Sequence, residues 1–113
     1  MISFAAKVIA GRGRGKRIGF PTANLDKKNL AIDYGVYLVA VEAAKKNYSA
    51  LMHYGAKPTF AEGMALELYI KNFSNYIYNK NIKVKIIKKI REIKKFKNKD
   101  ELIKQIKKDI EYV

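Results

Sequence analysis

A short segment near the start of the chain combines glycine with positive charge. Its glycines are Gly11, Gly13, Gly15 and Gly19, and its cations are Arg12, Arg14, Lys16 and Arg17. Glycine lets backbone N–H groups approach an anion closely and adopts the positive φ angles that such a cradle needs. The segment therefore predicts a loop that can bind phosphate. On these residues alone, a flexible basic turn or an arginine–glycine contact to nucleic acid explains it equally well.

Two well-known phosphate-binding patterns do not match this loop. Residues 11–16 (GRGRGK) are one residue short of the P-loop spacing, and Arg17 stands where a P-loop has Ser or Thr for magnesium. The spacing of Gly13, Gly15 and Gly19 also differs from the dinucleotide-binding fingerprint, and no helical pattern follows it. Neither a P-loop nor a Rossmann site is therefore expected.

Two single residues outside the loop could also take part in chemistry. Glu67 lies in an alternating segment whose apolar side is formed by Leu66, Leu68 and Ile70, so its carboxylate is expected on the less apolar face. A carboxylate there can act as a general base, or it can be a solvated glutamate paired with a lysine. His53 is the only histidine, and we interpret it as structural because one histidine cannot build a metal site or a catalytic triad.

Strands must position most of these residues, because short apolar or alternating segments dominate the chain. The residues from Gly11 to Asn24 interrupt this pattern and are expected to form a loop, as are those between Gly55 and Gly63. The polar residues 45–47 are expected to form the turn of a hairpin. The predicted strands cover residues 2–10, 34–43, 48–54, 64–73 and 82–86.

One helix is predicted at the end of the chain. Asn98 can cap it, with Glu101 at the third helical position, which is the arrangement of a capping box. Its apolar face consists of Leu102, Ile103, Ile106 and Ile110. Several short strands followed by one helix favour a mainly β fold. We predict a small closed antiparallel barrel with a C-terminal α-helix, since closure removes exposed strand edges.

Composition limits the class of protein further. With 113 residues and 49% hydrophobic side chains, the chain fits a single domain over residues 1–113. No apolar stretch approaches the roughly 20 residues of a membrane span, and residues 1–10 do not resemble a secretory signal. We therefore expect a soluble, cytoplasmic protein with no membrane partner. The absence of cysteine excludes disulfides and cysteine-ligated metals. The net charge of +14 favours anionic partners, although a genomic bias toward lysine would explain it as well.

Residues 11–25 (GRGRGKRIGFPTANL) closely resemble the signature of the riboflavin kinase family, in which a glycine-rich flap runs into a PTAN motif. Further segments resemble that family in the same order along the chain. They are GVY at residues 35–37, YGAKPTF at 54–60, LELYIKNF at 66–73, IREIKKF at 90–96 and the helical segment 101–109. The resemblance thus covers nearly the whole chain and implies a Greek-key barrel like that of riboflavin kinase.

The resemblance also implies a reaction and a role for each site residue. In this family, ATP donates its γ-phosphoryl group to the ribityl 5′-hydroxyl of riboflavin, and the products are FMN and ADP. Thr22 and Asn24 would bind the nucleotide through its Mg²⁺, and Glu67 would be the general base. The implied contacts to the nucleotide phosphates are Gly11, Gly13, Gly15 and Lys16, and Arg91 lies in a segment that would help to enclose the flavin. The aromatic ring of Phe96 could stack on the flavin or pack in the core.

The sequence is also compatible with two functions other than this kinase reaction. A basic β-barrel with exposed tyrosines could bind nucleic acid, although the family resemblance argues against that partner. A flavin-binding module without catalysis is the second alternative. The chain has no HxGH motif of an FMN adenylyltransferase, so FAD synthesis is not expected of it. We expect a monomer that needs no obligate protein partner.

Overall fold

Six β-strands and one α-helix form the part of the chain that the computed structural model describes. The described residues are 2–9, 22–27, 29–57, 62–70 and 80–113. The strands are β1 (Ser3–Ile9), β2 (Thr22–Leu25), β3 (Gly35–Ala43), β4 (Lys46–Lys57), β5 (Glu62–Ile70) and β6 (Asn81–Arg91), and the helix is α1 (Lys99–Ile110). No helix in these ranges has the length and apolar character needed to cross a membrane.

The six strands close into one antiparallel barrel. Their order around it is β1-β2-β5-β4-β3-β6, and β6 pairs with β1 to complete the ring. Strands β3, β4 and β5 are neighbours in chain order, and β6 returns to lie beside β3, which is a Greek-key arrangement. Closure pairs both edges of every strand with a strand of the same chain. The predicted closed Greek-key barrel with a C-terminal helix is therefore confirmed.

Alternate side chains along the strands fill the barrel. On β6, Ile82 and Val84 are buried, whereas the intervening Lys83 is exposed, as the alternating sequence predicts. The most deeply buried inward side chains are Val8, Val39, Val41, Ala50, Met52, Leu68 and Val84. Even an eight-stranded barrel is only wide enough for its own side chains or one small ligand, so six strands enclose a packed core. A larger ligand must therefore bind outside the barrel.

The C-terminal helix covers part of the outer wall of the barrel. Asn98 caps its first turn, because its side-chain oxygen accepts a hydrogen bond from the Glu101 N–H at 3.0 Å. Buried Ile106 belongs to one cluster with Val36, Leu51 and Tyr69 of the wall, and we call these three wall residues the helix-covered patch. Around them pack Ile90, Leu102, Ile103, Ile110 and Val113. The predicted cap and the predicted apolar face of the helix are both confirmed.

The turn between β3 and β4 lies earlier than the sequence predicts. Ala44 and Lys45 form it with φ angles of 51° and 65°, and β4 already begins at Lys46. Positive φ at both central residues is the type I′ geometry, whose twist matches that of the flanking strands. Neither residue is Gly or Asn, the usual sequence signal for this turn, and so the prediction of a turn at 45–47 is wrong.

The prediction of a loop that extends through Asn24 is also wrong, because residues 22–25 form the strand β2. Ala23 and Leu25 are buried in the barrel core, and β2 pairs with β1 on one side and β5 on the other. These tertiary pairings stabilise a strand whose two apolar residues are too few to show an alternating pattern. The preceding residues, 11–21, lie outside the described part of the chain.

An ion pair joins the helix to β6. Arg91 Nε donates a hydrogen bond to Asp109 Oδ2 at 2.9 Å, and Nη2 of the same guanidinium lies 2.9 Å from that oxygen. Gln105 Nε2 donates to the other carboxylate oxygen, also at 2.9 Å. Asp109 is only 2% exposed, so its two oxygens are satisfied by protein groups rather than by bulk water.

Arg91→Ala is expected to lower the free energy of unfolding by about 3 kcal/mol, because it leaves the buried Asp109 carboxylate without its cation. Equilibrium unfolding in urea measures this change. The matched control is Lys104→Ala, since Lys104 Nζ lies 3.8 Å from Glu101 and both side chains are largely exposed. Loss of such a surface pair costs less than about 1 kcal/mol. Equal losses for the two substitutions would contradict a stabilising role of the Arg91–Asp109 pair.

Candidate active site

Asn24 and Glu67 face each other across two neighbouring strands. They are directly opposite in the antiparallel register of β2 and β5. Residues opposite each other in such a pair project to the same side of the sheet, with Cβ atoms about 5 Å apart. Their chain neighbours Ala23 and Leu68 belong to the barrel core, so Asn24 and Glu67 lie on the outer wall. The fold thus brings together two site residues that are far apart in the sequence.

The register continues from this pair across the wall. His53 on β4 is opposite Glu67. Val36 on β3 is opposite His53, and Arg91 on β6 is opposite Val36. We call Asn24, Glu67 and His53 the polar row. Three adjacent strands therefore present an amide, a carboxylate and an imidazole side by side on one surface.

Glu67 is buried although it lies on the outer wall. Its exposed fraction is 5%, and among the described residues Asp109 is the other charged residue that is buried. Charged side chains are rarely buried unless they are paired. Asp109 is held by Arg91, and it joins two elements of the fold. Glu67 lies between the amide of Asn24 and the imidazole of His53 in the register, and this combination of polar groups makes it a candidate for chemistry.

The polar row lies between two other features of the wall. On one side, Tyr69 follows Glu67 along β5 and belongs to the helix-covered patch. On the other side, Ile93 from the segment after β6 packs closely against Gly55 of β4. Gly55 has a φ of 137°, a backbone conformation that is essentially restricted to glycine. This glycine lets β4 continue through the region that the sequence predicts to be irregular.

Gly55→Ala is expected to lower the free energy of unfolding by about 2 kcal/mol, because the positive φ is strained for alanine. The new Cβ would also overlap Ile93 Cδ1 and lie 3.2 Å from Tyr34 Cβ. Thermal unfolding provides the measurement. Gly35→Ala is the matched control, since the atom nearest to its new Cβ is on the flexible side chain of Lys89. A smaller loss is expected there, and an equal loss would contradict the special requirement at Gly55.

The remaining residues predicted to bind nucleotide lie partly outside the structure. Gly11, Gly13, Gly15 and Lys16 are outside the described residues. The backbone of Thr22 is opposite Tyr69 in the register of β2 and β5, but its side chain is also outside what the structure describes. The roles assigned to these five residues therefore stay predictions.

Arg91 and Phe96, the two residues predicted to contact the flavin, lie close to each other. The guanidinium carbon of Arg91 is 5.8 Å from the centre of the Phe96 ring, within the range of a cation–π contact. Lys94 Nζ approaches the same ring at 5.3 Å. Arg91 also keeps its ion pair with Asp109. The two residues share one location on the wall, and their contact with a flavin stays a prediction.

Two ionisable groups near the start of β3 and the end of β6 have shifted pKa values. Burial raises the pKa of Tyr37, whose hydroxyl donates a hydrogen bond to the Asp33 carbonyl oxygen at 2.6 Å. The hydrogen bond that Lys89 Nζ donates to Glu92 at 2.5 Å raises the pKa of Lys89. Both groups therefore stay protonated around neutral pH, and Lys89 contributes a fixed positive charge.

The polar row can contribute to a metal site but cannot form one alone. Within the described ranges, no group of three or more His, Cys, Asp or Glu side chains could hold a metal ion. Asn24 offers a neutral amide oxygen, and such a hard oxygen donor suits Mg²⁺. Mg²⁺ commonly takes one or two protein ligands and completes its octahedron with phosphate oxygens and water. The residues present therefore fit a magnesium ion that arrives with phosphate.

The position of His53 beside Glu67 is not predicted from the sequence. Its strand neighbours Met52 and Tyr54 are apolar and buried, so the local pattern could have placed His53 on the outer wall. That pattern could not show that β4 would lie next to β5 with these two residues opposite each other. The neighbour of a strand residue is set by register, which a single strand sequence does not contain.

Comparisons with known sequences identify similar proteins for this chain. A family model for flavokinase, described as riboflavin kinase, matches residues 1–113. The RNA-binding riboflavin kinase RibR of Bacillus subtilis (strain 168) is 37% identical over 115 residues, covering 100% of this chain and 50% of that protein. A bifunctional riboflavin kinase/FMN adenylyltransferase of the same organism is 39% identical over 108 residues, covering 90% of this chain and 34% of that protein. The chain thus spans half or less of the length of these relatives.

Two solved structures are similar to the barrel and helix of this chain. The crystal structure of a macrolide-efflux protein from Streptococcus pneumoniae has a TM-score of 0.83 and 34% identity, and the match covers 96% of this chain and 37% of that chain. The crystal structure of riboflavin kinase from Trypanosoma brucei has a TM-score of 0.61 and 20% identity, with coverage of 97% and 75%. The second likeness supports the fold alone.

Proposed function

This chain belongs to the riboflavin kinase family, and we propose that it transfers the γ-phosphoryl group of MgATP to the ribityl 5′-hydroxyl of riboflavin to form FMN. The observation that carries the proposal is the register pair of Asn24 and Glu67. It puts a candidate magnesium ligand and a candidate proton acceptor at one point of the outer wall. Phosphoryl transfer to an alcohol needs both groups close to the reacting atoms.

Glu67 is the general base in this proposal. Its carboxylate accepts the proton of the 5′-hydroxyl while the bond from that oxygen to the γ-phosphorus forms. The bond between the γ-phosphorus and the bridging oxygen breaks, and ADP leaves with the electron pair. Because Glu67 is buried on a strand of a closed barrel, its carboxylate is held more rigidly than it would be on a loop.

Asn24 and Thr22 are the protein ligands that we propose for magnesium. When bound, the ion would neutralise negative charge on the nucleotide phosphates. The amide oxygen of Asn24 carries no net charge and takes up no proton at neutral pH, so it does not compete with Glu67 for the substrate proton. Strand β2 holds Asn24 opposite Glu67, which keeps the phosphate-binding side of the site next to the base.

The other predicted site residues bind the two substrates in this proposal. We propose that Gly11, Gly13, Gly15 and Lys16 contact the nucleotide phosphates, because glycine-rich basic segments suit anions. We also propose that Arg91 and Phe96 contact the flavin, and their 5.8 Å contact supports a shared binding surface. Arg91 stands at the opposite end of the register from Asn24, so the flavin and the nucleotide would approach Glu67 from different sides.

Nucleic-acid binding is the alternative function to consider, because the name of one relative describes that protein as RNA-binding. This chain matches only half of that relative's length, and the name does not say which half binds RNA. The net charge of +14 suits phosphate in either setting. If the chain binds nucleic acid, its affinity for oligonucleotides should fall with increasing salt and should not change in Glu67→Gln. The kinase proposal predicts that this substitution lowers turnover by about 10²- to 10⁴-fold.

Formation of FMN by the purified chain tests the proposed function. The chain is incubated with riboflavin and MgATP, and the flavins are separated by chromatography. A product that co-elutes with FMN and requires ATP supports the proposal. Riboflavin binding without FMN would instead indicate a flavin-binding module that does not catalyse. If neither occurs and oligonucleotides bind in a salt-sensitive way, the nucleic-acid alternative is favoured.

A further inference from the structure

We propose that His53 is a positioning residue that holds the Glu67 carboxylate in its reactive orientation, an inference that rests on the proposed kinase function. His53 on β4 is directly opposite Glu67 on β5, and both side chains project to the outer wall. Opposite residues of an antiparallel pair have Cβ atoms about 5 Å apart. An imidazole N–H can therefore reach a carboxylate oxygen of the neighbouring strand.

The register gives Glu67 a different neighbour on each side. Asn24 lies on the β2 side and His53 on the β4 side. A carboxylate has two oxygens, and only one of them needs to accept the substrate proton. A hydrogen bond from the imidazole to the other oxygen fixes the plane of the carboxylate and leaves the reactive oxygen available. Such a bond to a charged acceptor is stronger than one between neutral groups.

His53 does not occupy a position in the barrel core. Its strand neighbours Met52 and Tyr54 are 0% and 3% exposed in the core, whereas His53 projects outward and is half-buried. On the neighbouring strand β3, the apolar Val36 is opposite His53. Among its two cross-strand neighbours, Glu67 is therefore the one that can accept a hydrogen bond through its side chain.

Kinetics of FMN formation tests the positioning role. His53→Leu removes the donor, and kcat is expected to fall about 10- to 100-fold, because the lost bond is made to a charged group. The KM values for riboflavin and MgATP are expected to stay close to wild type, since no substrate contact is removed. His53→Asn restores an N–H donor and should recover much of kcat. Ser49→Leu is the control, because Ser49 is exposed on the outer wall of the same strand.

A second readout does not depend on activity. Because His53 is the only histidine, nitrogen NMR of the labelled imidazole observes this one ring without ambiguity. The ring signals report which nitrogen carries the proton and what it is bonded to. Glu67→Gln is expected to shift these signals in the ligand-free protein. Glu42→Gln, which changes an exposed glutamate on β3, is expected to leave them unchanged.

The outcomes separate this inference from the proposed function. If the wild-type chain forms no FMN, the kinase function fails and the role of His53 fails with it. If FMN forms but His53→Leu keeps its kcat, or Glu67→Gln leaves the imidazole signals in place, the positioning role is wrong and the kinase function stands. His53→Leu and His53→Asn could also lose kcat to the same extent and be destabilised to the same extent in thermal unfolding. That result would indicate a structural role for His53 and would also overturn the inference.

Discussion

Glu67→Gln is expected to lower the rate of FMN formation by about 10²- to 10⁴-fold, which is the usual contribution of general-base catalysis. Glutamine keeps the size and shape of the side chain on β5, but it cannot accept the proton of the 5′-hydroxyl. Glu67 stands opposite the proposed metal ligand Asn24 and is not itself assigned to the metal. Binding of MgATP should therefore stay close to wild type.

Steady-state kinetics and calorimetric titration with MgATP together measure both parts of this result. Glu42→Gln is the matched control, because Glu42 is an exposed glutamate on β3 opposite Lys83 of β6. It should leave the rate of FMN formation unchanged. A Glu67→Gln protein with a wild-type rate would show that another group accepts the proton. A protein that lost MgATP binding as well would indicate that Glu67 helps to bind the metal.

The sequence predicts the face of the sheet on which Glu67 lies, but not the residues beside it. Alternation with Leu66 and Leu68 is a local property, and one strand is enough to reveal it. The pairing of Glu67 with Asn24 and His53 depends on the Greek-key order, which places β5 between β2 and β4. Register between strands that are distant in the chain has no local signal. The family resemblance predicts the roles of Asn24 and Glu67, and the fold shows how the two residues come to lie opposite each other.

The wrong local predictions have the same origin. Residues 22–25 are a strand because β1 and β5 pair with them, whereas their own sequence follows a glycine-rich segment and looks irregular. The turn at Ala44 and Lys45 adopts positive φ without glycine or asparagine, since the flanking strands fix its geometry. The cap at Asn98 is predictable because it depends only on residues close together in the sequence, at the start of the helix.

The small size of the barrel explains why the candidate site lies on its outer wall. Inward side chains such as Val39, Met52 and Leu68 fill the interior, and none of these three has exposed surface. A ligand as large as a flavin or a nucleotide would not fit the interior and could bind only outside it. The wall offers residues on rigid strands, and α1 borders the polar row through the helix-covered patch. Rigid strand positions supply the alignment that proton transfer and phosphate binding require.

Asn24→Ala is expected to lower kcat/KM for MgATP about 100-fold and to move the magnesium requirement to higher concentrations. The alanine removes the amide oxygen opposite Glu67. It leaves β2 in place, because the buried Ala23 and Leu25 still anchor that strand in the core. Removal of one group that stabilises transition-state charge typically costs about 10² to 10³ in rate. A magnesium titration of the rate at saturating ATP measures the shift.

Excess magnesium should distinguish Asn24→Ala from Glu67→Gln. A higher concentration of the ion restores part of the rate of Asn24→Ala by mass action, whereas it cannot replace a missing proton acceptor. The matched control is Asn47→Ala, since Asn47 is exposed near the β3–β4 turn, and it should keep the wild-type rate and magnesium requirement. If Asn24→Ala also kept the wild-type requirement, other residues would have to bind the ion. The pair of Asn24 and Glu67 would then no longer carry the proposed function.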